Sequence, residues 1–111
     1  LDIWQTAADV ALKLDDVADD LEIRKNYRYA EQLRGAGISI SNNIAKGSGS
    51  NTNPDFRRFL SFARKSVFEC ASMLLVLQRK NYVDVNVTDK ICDDLELLSR
   101  RILAFARTLD P

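Results

Sequence analysis

The strongest constraint on the fold is the segment 33–47, whose apolar side chains keep helical spacing while the residues between them are small. Leu33, Gly37, Ile40 and Ile44 follow one another at steps of four, three and four, so they lie on one face of a helix. The small residues that flank this face are Gly35, Ala36, Ser39, Ser41 and Ala45. Because they add little bulk, neighbouring helices can approach this backbone closely. We therefore expect this segment to be the central helix of a bundle.

Bundle-type spacing also runs through the rest of the chain. Apolar residues recur at steps of three and four at positions 3, 7, 10, 14, 17 and 21, and again at 87, 91, 95, 98, 102, 105 and 109. We predict helices over residues 2–21, 27–46, 54–80 and 85–109, joined by short loops. The chain is thus predicted to be all-α, an up-down-up-down antiparallel four-helix bundle in a single domain, 1–111.

Residues that commonly cap helices stand at the predicted helix ends. Asp2 is expected to cap the first helix, Gly47 to end the second as its left-handed C′ residue, and Asn53, followed by Pro54, to cap the third. For the fourth helix Asp84 is the preferred cap, with Asn86 and Thr88 as alternatives. The Gly/Ser-rich stretch 47–53 is interpreted as a flexible connection, because no GK[ST] element closes it as in a phosphate-binding loop.

The charges are segregated along the chain although the net charge is zero. Residues 1–23 carry seven acids and one base, residues 24–80 carry eleven bases and three acids, and residues 81–111 carry six acids and four bases. A basic middle segment permits contact with nucleic acid or an acidic partner. It equally permits neutralisation between neighbouring helices.

One end of the predicted bundle collects basic residues around the 47–53 loop and both termini. The candidate nucleic-acid-binding residues are Lys46, Arg57, Arg58 and Arg107, with Arg100 and Arg101 about two turns away. A single copy offers few phosphate contacts, whereas a symmetric ring would multiply them. The alternative is that exposed Lys and Arg side chains only keep the bundle soluble.

The third helix carries a second apolar stripe besides its core stripe. The second stripe consists of Phe62, Phe68, Leu75 and Tyr82. Since exposed apolar patches on a water-soluble domain mark interfaces, we expect these residues to contact a neighbouring subunit. The alternative is that the helix is buried on most sides within its own bundle.

The composition argues against an enzyme. The chain has no histidine, the commonest general base near neutral pH and the commonest metal ligand. Cys70 and Cys92 stand at apolar positions of helical patterns, so we expect buried thiols in a reducing compartment rather than a disulfide or metal site. Glu69 has no partner for catalysis, and a hydrogen-bond network with Ser or Asn of the second helix fits it better. No cofactor or metal is expected.

The acidic residues near the end of the first helix are predicted to pair locally with Arg24, Lys25 and Arg28 rather than to bind a metal.

No apolar run approaches the ~20 residues of a membrane span, and the first residues lack the features of a signal peptide. We therefore expect a cytoplasmic protein without membrane contact.

Several segments together resemble one bacterial family. Residues 2–5, 32–47, 56–63 and 66–69 are similar to the four-helix bundle proteins encoded by intervening sequences within 23S ribosomal RNA genes. The most specific match is the stretch 39–47, which resembles the family's S-I-P-S-N-I-A-E-G. Ser41 stands where proline is usual, and Lys46 replaces the usual glutamate, which reverses a charge at the basic end.

This resemblance implies a homopentameric ring, a form shared with the accessory variability proteins of diversity-generating retroelements. Those relatives bind nucleic acid and a reverse transcriptase through a basic surface. By analogy of fold, we expect a non-enzymatic RNA- or DNA-associated accessory or scaffold protein, with no catalytic residues to carry over. The alternative is a self-associating protein–protein interaction module without a nucleic-acid role.

Overall fold

A computed structural model of the chain describes residues 1–109 as four helices, and the last two residues of the predicted domain 1–111 lie outside that range. The helices are α1 (Asp2–Ile23), α2 (Tyr27–Ser48), α3 (Asn53–Arg79) and α4 (Val85–Arg107). Each helix packs on the next along the chain, and α4 returns to α1. The molecule measures 46 × 21 × 19 Å, as expected for helices lying side by side. The all-α four-helix bundle is confirmed.

Two of the predicted caps are each off by one residue. Leu1, not Asp2, is the N-cap of α1, and it makes no side-chain cap bond. Thr52, not Asn53, caps α3, since its hydroxyl accepts a hydrogen bond from the Asp55 amide at 3.2 Å. The Asp84 cap of α4 is confirmed, because its carboxylate accepts from the Asn86 amide at 2.7 Å.

Left-handed backbone occurs in the two tight turns and not at the predicted glycine. Lys25, between α1 and α2, has φ 66°, and Asn81, between α3 and α4, has φ 62°. In both turns the following amide donates back to the helix, from Asn26 to the Leu21 carbonyl and from Tyr82 to the Leu77 carbonyl. None of the glycines in the described part of the chain has positive φ, so the predicted C′ role of Gly47 is wrong.

Gly47 instead lies inside α2, where it allows α3 to approach. A Cβ built there would stand 2.8 Å from Cδ1 of Phe56 and 3.1 Å from Cβ of Phe59. Gly37 likewise allows α1 to approach α2, with a less severe contact, since a Cβ built there would stand 3.0 Å from Leu14 Cδ1. The small-residue segment of α2 is thus in close contact with helices on two sides.

The core consists of one face from each helix. The expected apolar positions of α1, from Ile3 to Leu21, are all buried, and α2 and α3 bury theirs likewise. In α4 the predicted face is buried from Ile91 to Ile102, whereas Val87 is 40% exposed. The burial pattern therefore follows the predicted spacing except at the two ends of the α4 face, where Val87 is exposed and Phe105 and Leu109 are half-buried.

The polar contact between α2 and α3 differs from the predicted network. The Ser66 hydroxyl donates to the Ser39 hydroxyl at 3.0 Å, and the Asn43 amide donates to the same oxygen at 3.1 Å. Glu69, which was expected in this network, is exposed and takes no part in it. Its position on α3 turns it outward from the α2 contact.

The acids at the end of α1 are paired mainly by Arg34 of α2. Its guanidinium contacts Asp15 at 3.0 Å, Asp19 at 2.5 Å and Glu22 at 2.6 Å. These carboxylates raise the pKa of Arg34 further above its ordinary value, Asp19 most of all. Of the three cations predicted to pair locally, Arg24 contacts Asp20, at 3.4 Å. Local charge pairing therefore occurs, but chiefly through a residue that sequence reasoning did not select.

Candidate functional site: a basic end and two uncovered faces

The end of the bundle that carries the 47–53 loop is built where α2 ends, α3 begins and α4 ends. Phe56 of α3 stacks against Phe105 of α4 with ring centroids 5.5 Å apart, which holds the two helix ends together. Arg57 crosses the same junction and donates to the Leu109 carbonyl. This arrangement places Lys46, Arg57, Arg58 and Arg107 at one end, which we call the basic end.

The six predicted anion-binding residues differ in how far they are already occupied. Arg58 pairs with Asp55 at 2.7 Å within α3, and Arg100 pairs with Glu96 at 2.6 Å within α4. Arg101 donates to the Thr6 hydroxyl at 2.8 Å, which ties α4 to α1. Arg100 and Arg101 are thus each already bound to a neighbour within the chain.

Lys46 and Arg107 are the least committed of the six cations. Both side chains are exposed, and neither makes an ion pair within residues 1–109. Arg57 is half-buried, and its carbonyl contact leaves the guanidinium charge uncompensated. An anion arriving at the basic end therefore meets three cations that have no carboxylate partner within residues 1–109, namely Lys46, Arg57 and Arg107.

Two further cations of α3, Arg64 and Lys65, were not among the residues predicted from the sequence. Arg64 donates to the Ser99 hydroxyl at 3.3 Å and lies 5.7 Å from the Phe68 ring centroid, and Lys65 lies 5.7 Å from that of Phe62. They follow Arg57 and Arg58 by seven positions, so they continue the same face of the helix two turns on. This seven-residue repeat was the signal that could have found them.

The predicted interface residues do not form one stripe. Phe62 is 37% exposed, Phe68 58% and Leu75 50%. Six residues separate Phe62 from Phe68, which turns them about 120° apart on a helix, whereas Phe68 and Leu75, seven apart, share a face. Tyr82 lies beyond the end of α3, partly buried and 6.1 Å from the ring of Tyr29.

The face of α3 that points away from the bundle has its own regular spacing. It carries Lys65, Phe68, Ser72, Leu75 and Arg79 at steps of three, four, three and four. We call these five residues the outer face of α3. Each of them is exposed, so two apolar side chains lie between two cations on an uncovered helix face.

A groove of about 440 Å³ separates the end of α1 from the start of α4. Its apolar lining is formed by Val17, Ile91, Val83, Val87 and Tyr82. Seven charged residues surround this floor: Lys13, Asp16, Asp20, Arg24, Asp84, Lys90 and Asp94. Two ion pairs lie along its rim, Lys13 with Asp94 at 2.6 Å and Arg24 with Asp20 at 3.4 Å.

Both cysteine thiols have pKa values above the ordinary value. Burial raises the pKa of Cys70 to about 12, and burial with the nearby charge of Asp89 raises that of Cys92. Both thiols are free, Cys70 buried and Cys92 half-buried, so the predicted burial is confirmed for the first.

Within residues 1–109 no cluster of acids and thiols has the arrangement of a metal site. In the same range none of the helices has the length and hydropathy to span a membrane.

Comparison with known proteins finds a family over most of the chain. The family described as 23S rRNA-intervening sequence protein matches residues 1–104. A search among curated proteins finds no match. Among solved structures, the chain is similar to a protein of unknown function from the S23 ribosomal protein family of Bacteroides thetaiotaomicron VPI-5482, solved at 1.70 Å. That match has a TM-score of 0.89 and 20% identity, and it covers 94% of this chain and 97% of the other, which supports the fold.

Proposed function

Since the chain belongs to the family of 23S rRNA-intervening sequence proteins, we propose that it acts without enzymatic activity, as a homo-oligomeric accessory or scaffold that binds RNA or DNA at its basic end. The observation that carries this proposal is that three cations there, Lys46, Arg57 and Arg107, make no ion pair with any residue of the described range 1–109. Phosphate groups are the ligands that such exposed cations bind without a fixed pocket.

The proposal includes assembly into a ring of five copies in the cytoplasm. One basic end offers few phosphate contacts, and each contact in isolation is weak. A ring brings several basic ends to one side, so a single nucleic-acid strand binds them together at high effective concentration. The exposed apolar side chains of α3 support self-association, because they are left without cover in one copy.

The experiment measures binding of fluorescently labelled single- and double-stranded RNA and DNA over a range of salt concentrations. The double variant Lys46→Glu plus Arg107→Glu is expected to bind at least tenfold more weakly and to show a shallower salt dependence, by about one counterion for each lost phosphate contact. Its matched control is Lys25→Glu plus Arg28→Glu, which makes the same charge change in the α1–α2 connection and the first turn of α2, away from the basic end.

Two results contradict the nucleic-acid role. Equal loss in both double variants means that only net charge matters and that the basic end is not a site. Failure of the wild-type protein to bind any of these nucleic acids at low salt removes the role altogether. An oligomer that fails in this way supports the second candidate function, a self-associating protein–protein interaction module, which the exposed Phe68 and Leu75 favour.

A further inference from the structure

We infer that the groove between α1 and α4 receives the outer face of α3 from a second copy of this chain. This inference rests on the self-association proposed above and identifies the two surfaces that meet. The contact joins two different surfaces, so each copy has one free groove and one free face. Contacts of this type close into rings when the rotation between copies allows it.

The first support is the distribution of charge that one copy leaves unbalanced. The helix α1 carries seven acids, of which Asp2, Asp9 and Asp16 make no ion pair within residues 1–109, whereas α3 carries five bases and two acids. In the described part of the chain α1 and α3 lie diagonally across the bundle, since no Cα atom of one comes within 8 Å of a Cα atom of the other. Every ion pair of α3 in that range stays within the helix, so its cations are not neutralised by the acids of α1.

The second support is the match of apolar surface. The groove spans the twelve residues from Lys13 to Arg24, the C-cap of α1, and these eleven steps correspond to about 16 Å of helix. Phe68 and Leu75 are seven residues apart, which is about 10 Å along α3, so both fit within this length. The groove offers Val87 and the edges of Val17 and Ile91 as apolar partners. A helix laid between two helices in this way uses the packing that bundles use inside one chain.

The third support is the charge that accompanies each apolar surface. On the outer face Lys65 and Arg79 stand one turn beyond the two apolar residues. At the groove Asp16 has no ion pair within residues 1–109, and the rim pair of Asp20 is 3.4 Å long and exposed. Docking therefore brings one of the two cations to Asp16, which makes no ion pair within residues 1–109 of a single copy.

The test is a charge swap read by the mass of the native particle from light scattering behind a sizing column. Two variants test the two surfaces. The groove variant is Asp16→Lys plus Asp20→Lys, and the face variant is Lys65→Glu plus Arg79→Glu. Each is expected to dissociate at concentrations where the wild type is assembled, with an apparent dissociation constant at least tenfold higher. The quadruple variant, which carries both swaps, is expected to assemble again, because opposite charges face each other once more.

The matched control is Glu31→Lys plus Asp93→Lys, two exposed acids outside both surfaces that make the same charge change as the groove variant. It is expected to assemble like the wild type. Helical circular dichroism and thermal melting of every variant show that the bundle is intact, and lysine near the C-terminal end of α1 is favoured by the helix dipole.

The outcomes separate this inference from the self-association on which it rests. A wild-type monomer over the whole concentration range overturns both. A wild-type oligomer whose groove and face variants remain assembled, or whose quadruple variant stays dissociated, overturns the pairing of these two surfaces and leaves self-association in place. Dissociation of the control variant together with the groove variant also overturns the pairing, since the effect is then not confined to the groove.

Discussion

Replacing Gly47 by alanine should destabilise the protein, although alanine is the better helix former. The added Cβ would stand 2.8 Å from Phe56 Cδ1 and 3.1 Å from Phe59 Cβ. The Phe56 ring has some freedom to turn, but it stacks on Phe105, and the Cβ of Phe59 is fixed to the backbone of α3. Relief of the second contact therefore requires α2 and α3 to move apart.

The magnitude follows from two opposing terms. Overpacking of a close contact costs about 1–3 kcal/mol. Replacing glycine by alanine in a helix interior gains about 0.5–1 kcal/mol, and less near a helix end, which Gly47 is close to. The expected net loss is about 1–2 kcal/mol of the free energy of unfolding.

Gly35 provides the matched control within the same helix. It is exposed, and nothing lies within 4 Å of a Cβ built on it. Gly35→Ala should therefore stabilise the protein by about 0.5–1 kcal/mol through helix propensity alone. Urea denaturation followed by circular dichroism measures both variants under identical conditions, provided that the slope m stays constant. If Gly47→Ala stabilises the protein as Gly35→Ala does, the close approach of α2 to α3 argued here is refuted.

Two other predictions concern α1 and the thiols. Arg34→Met should lower the melting temperature strongly in about 0.01 M salt and much less in about 1 M salt. The reason is that the screening length falls from about 30 Å to about 3 Å and the carboxylates paired with Arg34 are exposed. An equal loss of melting temperature at both salt concentrations would show that Arg34 contributes packing and not charge. Cys70 should resist iodoacetamide at pH 8 until the protein unfolds, since a pKa of about 12 keeps its buried thiol protonated. Cys92, which is half-buried, should react slowly in the folded state. Mass spectrometry of the labelled peptides distinguishes the two cysteines, and rapid labelling of Cys70 would contradict its burial.

The fold could be predicted because each helix carries its own periodic signal. The buried faces of α1 to α3 follow spacings that are visible in the sequence, and one helical turn fixes which positions share a face. The ends were less certain where two residues that cap equally well stand side by side, as Thr52 and Asn53 do. Gly47 shows a different limit, because a glycine required for close packing and a glycine required for a turn look the same in sequence.

The candidate site could be predicted only as a set of residues sharing one end. Whether a cation is free or occupied depends on partners from other elements, such as the Leu109 carbonyl for Arg57 and the Thr6 hydroxyl for Arg101. The single stripe expected on α3 failed for a simpler reason, because Phe62 and Phe68 are six residues apart and six is not a helical repeat. The groove beside Val87 left no signal in the sequence, where this residue continues an apolar face.

The segregation of charge along the sequence allowed two interpretations, neutralisation between neighbouring helices or a charged surface that binds a partner. The ion pairs show which helices neutralise each other. The acids of α1 that face α2 are neutralised by Arg34, and Lys13 joins α1 to Asp94 of α4. The cations of α3 make no such inter-helix pair within residues 1–109. Neutralisation thus accounts for the α1–α2 and α1–α4 contacts but not for α3. This charge of α3 is available to carboxylates of a second copy along the outer face, and at the basic end Arg57 of α3 adds to Lys46 of α2 and Arg107 of α4 in binding phosphate.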